Sequence, residues 1–331
     1  MVLFQNPLQD AHGRRFSYLR LSITDACNFR CVYCLPNGYS RQKDAEDYLS
    51  VSEILNLTQA FSELGTWKVR LTGGEPTLRR DLLDIVKTVA SVDGIRKVAL
   101  STNGNRLKSL ARPLFQAGVS ALNISIDSLD PQKFSEMTGT TQLSEVLEGI
   151  EVALKIGFES IKVNAVLMGG LNDNEVRPFM DWIRNKPISV RFIELMPTSQ
   201  NKALFAKHHI KSSELRNQLL EEGWAPVSRG EADGPAIEYS HPEYLGRMGI
   251  IAPYSHDFCG TCNRLRVTSQ GQLRLCLFAE GNNSLRKYLQ APSQKDELKA
   301  HLHRLLLKKE ISHYLPAGKL GNNQSFSAMG G

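Results

Sequence analysis

The chain has 331 residues, 41% of them hydrophobic and 22% charged, with a formal net charge of +6. These are ordinary values for a folded protein with a sizeable core, and they exclude a disordered chain. Basic residues occur as scattered pairs such as Arg14-Arg15, Arg79-Arg80 and Lys308-Lys309, not as the dense stripe a nucleic-acid binder needs, and no apolar run is long enough for a transmembrane helix.

The opening stretch MVLFQNPLQDAHGRR has no apolar segment of signal-peptide length and contains Asp10. A cytoplasmic chain with reduced cysteines is therefore expected, so close cysteine spacing points to metal rather than disulfides. Residues 16–24 read as the first strand, with Tyr18 and Arg20 alternating against Leu19 and Leu21. Directly after it comes Cys27-x3-Cys31-x2-Cys34. Three thiolates on one loop suit an iron–sulfur cluster with one open iron. On spacing alone, a zinc knuckle completed by a distant residue stays open.

A helix is predicted over about 52–64, with Ser50 or Ser52 as N-cap and Gly65 as its stop. Strands follow at 67–72, 98–102, 121–127, 161–167 and 189–196, with helices at 81–91, 107–117, 143–156 and 175–185 between them. The strands are near-continuous apolar runs, which implies a parallel sheet covered by helices. Polar residues gather at the strand C-terminal ends: Asp25, Thr72-Gly73-Gly74-Glu75, Thr102-Asn103-Gly104, Asp127-Ser128, Glu194 and Met196. In α/β folds that end binds ligands. Six strand–helix units fall short of a closed barrel. The expectation is an α/β fold with a partial, open-sided barrel, the alternative being a doubly wound sheet.

Beyond about residue 200 the rhythm changes, so the expected division is 1–200 and 201–331. A helix is predicted at 212–222, short strands in the Gly- and Pro-rich stretch 224–256, and a final helix at about 295–309. Cys259-x2-Cys262-x13-Cys276 forms the second cysteine group. A hairpin of 264–268 with 272–275, turning at Ser269-Gln270-Gly271, would return Cys276 to the pair. A zinc ribbon with a fourth ligand such as His256 is the competing reading. Composition alone makes the Gly-, Asn- and Ser-rich tail after Pro316 flexible.

The first cysteine motif, with Tyr33 before its last cysteine, resembles the radical SAM superfamily, as does Gly73-Gly74-Glu75-Pro76 one strand later. Together with the second group, the stretches YLRLSITDACNFRCVYC, VRLTGGEPTLRRDL, RFIELMP and FCGTCNRLRV and the terminal Gly330-Gly331 are similar to the GTP 3′,8-cyclase family within it. The resemblance implies a partial (β/α)6 radical SAM barrel with a C-terminal α+β extension carrying a second cluster. It implies two [4Fe-4S] clusters, on Cys27, Cys31 and Cys34 and on Cys259, Cys262 and Cys276. The implied cofactor is S-adenosylmethionine (SAM), whose cleavage would yield a 5′-deoxyadenosyl radical. By the same resemblance that radical would take the hydrogen on ribose carbon 3′ of GTP, and the new radical would attack carbon 8. The implied reaction is the first step of molybdenum cofactor biosynthesis.

By position, the resemblance implies SAM contacts at Tyr33, Gly74, Ser125 and Met196. It implies GTP contacts at Arg20, Arg70, Ser101, Lys162, Arg264, Leu265 and Arg266, with Arg264 and Arg266 also catalytic. Ser101 stands where the family usually has threonine. Lys162, flanked by apolar residues on a strand, is unusual unless it is paired or lines a pocket. Arg264 and Arg266, two apart on a strand, share one face and offer forked donors to a triphosphate. Arg191 is a further polar candidate. Gly330-Gly331 is expected to reach into the active site, where side-chain-free residues thread a narrow channel. Expected partners are a reducing electron donor, a second copy in a homodimer and, functionally, cyclic pyranopterin monophosphate synthase. Two alternatives stay open: a radical SAM peptide-modifying enzyme with an auxiliary cluster, and a non-catalytic zinc or iron–sulfur protein that binds nucleic acid.

Overall fold

The structure is a computed structural model that describes residues 7–41, 46–230, 233–255, 258–278, 283–319 and 326–327. Strand–helix units build its first half in chain order. They comprise β1 (Tyr18–Ser22), α1 (Val51–Glu63), β2 (Lys68–Thr72), α2 (Leu82–Ala90), β3 (Lys97–Thr102), α3 (Leu107–Ala117) and β4 (Val119–Ser125). They continue with α4 (Pro131–Thr138), α5 (Leu143–Ile156), β5 (Ser160–Leu167), α6 (Val176–Ile183) and β6 (Ile188–Glu194). Of the two candidate caps, Ser50 starts α1. Its hydroxyl accepts from the Glu53 N–H at 3.2 Å, and Glu53 accepts from the Ser50 N–H at 2.8 Å, a capping box.

Strands β1 to β6 lie side by side in sequence order, all parallel. A doubly wound sheet reverses its strand order at a switch point, so this order rules out that alternative. Right-handed crossovers without reversal put every helix on one face, where α1 packs on α2, α2 on α3 and α3 on α5. Leu19, Leu21, Val69, Leu71, Leu100, Leu122, Val163 and Phe192 alternate toward those helices and are fully buried. Each such side chain contributes about 1.5–3 kcal/mol of burial free energy. The other face of the sheet lines the lumen of the partial barrel.

The C-terminal part adds α7 (Lys202–His208), α8 (Ser212–Glu221), β7 (Ala225–Pro226), β8 (Ile237–Ser240) and β9 (Arg247–Ile251). It ends with β10 (Arg264–Val267), β11 (Gln272–Arg274), β12 (Asn283–Ser284) and α9 (Lys295–Leu306). These strands join the same sheet. β10 pairs in parallel with β1 at one edge, and β9 in parallel with β6 at the other. The predicted hairpin is present: β11 runs antiparallel to β10, and Gly271, at φ 83°, makes the turn.

Helices α4 and α7 are absent from the sequence reading. The signals for α4 were present: Asp130 caps it by accepting from the Lys133 N–H at 2.9 Å, Pro131 is its first residue, and Gly139 ends it at φ 68°. Among the described residues no helix is long and apolar enough to cross a membrane.

Candidate active site at two ends of one lumen

The loop after β1 carries Cys27, Cys31 and Cys34 over the C-terminal ends of the strands. It is fixed by main chain. The Gly74 N–H donates to the Thr24 carbonyl at 2.9 Å and the Glu75 N–H to the Ala26 carbonyl at 2.7 Å, while Arg30 and Val32 donate to Thr138 and Met137 at the end of α4. A Cβ on Gly73 would stand 2.3 Å from the Thr24 oxygen, and one on Gly74 would stand 2.3 Å from the Ala26 oxygen. The Gly-Gly pair thus lets the cysteine loop lie directly on β2's exit. The Glu75 carboxylate is fully engaged by the Thr77 N–H (3.0 Å) and hydroxyl (2.7 Å), the Thr102 hydroxyl (2.8 Å) and the Asn103 N–H (2.6 Å). It ties the exits of β2 and β3 together.

All three cysteines line one cavity with Tyr33, Gly74, Ser125 and Met196, so the four expected SAM contacts share one site. Ser101 lines this same cavity. Asp127 had no assigned role in the sequence. Its carboxylate accepts from the Tyr33 hydroxyl at 2.9 Å and the Val166 N–H at 2.8 Å. Burial pushes Asp127 up to about 6. Burial, then the nearby carboxylates and thiols, raises all three cysteines: Cys27 to about 11, Cys34 to about 12, and Cys31 well above its usual range.

The second group lies at the opposite end. Cys262 precedes the N-terminal end of β10, which runs parallel to β1, and antiparallel β11 brings Cys276 back to the same level. Cys259, Cys262 and Cys276 line a second cavity together with Arg20, Arg70, Arg191, Arg264 and Arg266. Strand register explains the gathering. Arg266, Arg20 and Arg70 are direct neighbours across β10, β1 and β2, and all point inward. Arg191 enters from β6 past Gly249, where a Cβ would meet its Cγ at 2.7 Å, and donates through its terminal guanidinium nitrogen to the Asn123 side-chain oxygen Oδ1 at 2.6 Å.

The Nε atoms of Arg70, Arg191, Arg264 and Arg266 are buried with no hydrogen-bond partner among the described residues. Burial and then mutual repulsion hold Arg20 and Arg266 below their ordinary values. For Cys262 the upward push of burial is outweighed by the Arg264 and Lys309 cations, which bring the thiol below its usual range. Arg14 anchors this end. Its guanidinium donates to the carbonyls of Cys259 (3.0 Å), Ile311 (2.8 Å) and Glu310 (2.6 Å) and pairs with Asp10 at 2.7 Å.

The two cavities share Asn164, Ile193 and Met196 as common walls. Phe326 packs with Phe278 and Leu315 beside Cys34 and Cys276, so the chain before the terminus lies between the two groups. Gly330-Gly331, Met329 and His256 lie outside the described residues. Lys162 pairs with Glu238 at 2.8 Å in a side recess that shares Arg191 and Gly234 with the second cavity. The side chain of Leu265 faces the core, leaving only its main chain toward a ligand.

His313 lines the second cavity, but both its ring nitrogens are engaged. Nδ1 accepts from the Leu315 N–H at 3.0 Å and Nε2 faces the Pro253 carbonyl at 2.9 Å, so it is no spare ligand. Among the described residues no three His, Cys, Asp or Glu side chains converge closely enough to hold a single metal ion. Each cavity is lined by three thiols, the donor type that holds iron–sulfur clusters. Tyr18 lines the second cavity without any local motif in the sequence to mark it.

Residues 21–183 match the family model described as Radical SAM superfamily, and residues 188–315 the one described as Molybdenum Cofactor Synthesis C. A relative from Aeromonas hydrophila subsp. hydrophila, named GTP 3′,8-cyclase, is 50% identical over 99% of this chain and 97% of its own. Relatives of the same name from Tolumonas auensis (50% identical, 98% of this chain and 96% of theirs) and Yersinia pestis (48%, 98% and 99%) are similar throughout. Among solved structures, Streptococcus suis SuiB bound to S-adenosylmethionine has TM-score 0.63 at 13% identity, covering 89% of this chain and 72% of SuiB, a likeness of fold.

Proposed function

The chain belongs to the GTP 3′,8-cyclase family of radical SAM enzymes, and we propose that it divides that family's reaction between the two ends of its lumen. The protein is an enzyme. It cyclises GTP to (8S)-3′,8-cyclo-7,8-dihydroguanosine 5′-triphosphate in the first step of molybdenum cofactor biosynthesis. The proposed division puts radical generation at Cys27, Cys31 and Cys34 in the 1–200 portion, and the nucleotide beside Cys259, Cys262 and Cys276 in the 201–331 portion.

One observation carries this division: a cage of inward-pointing arginines with orphaned, buried Nε atoms stands between the two three-thiol groups. Buried guanidinium N–H groups left unpaired are costly unless an anion completes them. A triphosphate offers the acceptors.

At the first end an iron–sulfur cluster with SAM supplies a hydrogen-abstracting carbon radical when bound. Tyr33, Gly74, Ser125 and Met196 hold the SAM, and Asp127 fixes the Tyr33 ring through its hydroxyl. At the second end Cys259, Cys262 and Cys276 would hold a further [4Fe-4S] cluster, which would supply a metal contact for the purine. Arg20, Arg70, Arg264 and Arg266 bind and orient the triphosphate, with Ser101, Lys162 and the Leu265 main chain as further contacts. Their task is positional: ribose carbon 3′ must face the radical source, and carbon 8 must be within bonding reach of it. The apolar walls of the shared lumen exclude water.

Partners in this reading are a low-potential electron donor, a second copy of the chain, and cyclic pyranopterin monophosphate synthase as consumer of the product, in the cytoplasm. The peptide-modifying alternative gives the arginine cage no task. Anaerobically reconstituted protein given SAM, GTP and a reductant should form the cyclic nucleotide. SAM consumption that is indifferent to GTP, with no such product, would refute the assignment.

A further inference from the structure

Tyr18 lines the second cavity, and the family motifs leave it without a task. It opens β1, in register with Lys68 of β2 and Arg264 of β10, and its side chain points into the lumen. It is 3% exposed, and its hydroxyl has no hydrogen-bond partner among the described residues. A buried tyrosine hydroxyl ordinarily finds a partner, because leaving one unpaired is costly.

The surroundings say what that partner is. Lys68 Nζ stands 4.6 Å from the ring centroid and Arg70 Cζ 5.5 Å from it. The phenol oxygen is also within electrostatic reach of Arg20, Arg191 and Arg266. Asp233 acts on Lys68 and, with Glu238, on Arg191, but among the described residues no carboxylate or carbonyl takes the phenol proton. An anionic oxygen placed among these guanidiniums would accept from the phenol and satisfy both.

We propose that Tyr18 is a nucleotide-binding residue whose O–H donates to a phosphate oxygen of the substrate. The proposal rests on the GTP reading above and adds one contact to it. The cation–π contacts of the ring pre-position the hydroxyl, so the ring and the O–H are separable.

Tyr18→Phe keeps the ring and removes only the orphaned hydroxyl. The ligand-free holoenzyme should therefore unfold at the same temperature or slightly higher, a result a structural hydroxyl would not give. GTP affinity, measured by anaerobic equilibrium dialysis of the iron-loaded protein, should fall about tenfold, as for loss of one hydrogen bond to a charged group. KM for GTP should rise with it while kcat stays within about twofold, the pattern of lost uniform binding. Unchanged GTP affinity overturns the proposal, as does a fall in kcat with KM unchanged. Wild-type protein that binds no GTP would instead bring down the functional reading itself, and this contact with it.

Discussion

Cys27, Cys31 and Cys34 sit at the C-terminal ends of the strands among Glu75 and Asp127, and burial with those carboxylates raises their thiols. Cys259, Cys262 and Cys276 sit at the N-terminal end of β10 among Arg264, Arg266 and Lys309, and there Cys262 is drawn down. The donor sets are alike, but the charged groups beside them differ: carboxylates at the first, guanidiniums and an ammonium at the second. An electronegative pocket suits SAM, whose sulfonium and amino groups are cationic. An electropositive one suits a triphosphate. Ligand count alone could not have separated the two groups. The strands that flank them do.

The largest test of this contrast removes one thiol from each end. Cys27→Ala should abolish SAM cleavage altogether. Cys259→Ala should keep some uncoupled SAM cleavage and lose the cyclic product. Equal loss of both activities in folded Cys259→Ala protein would erase the division.

A Gly74→Ala change should come next in size. Its Cβ would meet the Ala26 main-chain oxygen at 2.3 Å, and neither strand exit can yield easily. A cost on the order of 3 kcal/mol falls on the cysteine loop. Iron bound at the first group should drop sharply while GTP binding at the other end persists. Normal iron content with normal SAM cleavage would show that the loop is not held as described.

The mildest change is Asp127→Asn, which keeps shape and an acceptor for Tyr33 but removes the charge and the acceptor for the Val166 N–H. SAM affinity should weaken by about tenfold. GTP affinity should be untouched. A drop in GTP affinity equal to that for SAM would mean that the two fields are not separate.

Much of this site was legible in the chain itself. The cysteine spacings, Gly73-Gly74 and the alternation around Arg20 and Arg264 each have a local physical meaning that survives in three dimensions. The hairpin carrying Cys276 was readable from Gly271 and the apolar runs beside it. What escaped was relational. Nothing local announces that β10 lies parallel beside β1, which turns Arg20, Arg70 and Arg266 into one inward row. Lys162 looked like a pocket lysine, and its partner Glu238 comes from a strand 76 residues away. Asp127 and Tyr18 resemble ordinary strand-end and strand-start residues until burial and missing or specific partners single them out. Helix α4 is a different kind of miss, since its Asp130-Pro131 start and Gly139 stop were both present in the sequence.

The most direct test of the two-ended lumen is electron paramagnetic resonance on two anaerobically reconstituted variants. In one, Cys259, Cys262 and Cys276 are replaced by alanine; in the other, Cys27, Cys31 and Cys34 are. The first should change its reduced-cluster signal on adding SAM and ignore GTP. The second should respond to GTP and ignore SAM. A GTP response in protein that retains only Cys27, Cys31 and Cys34 would contradict the account.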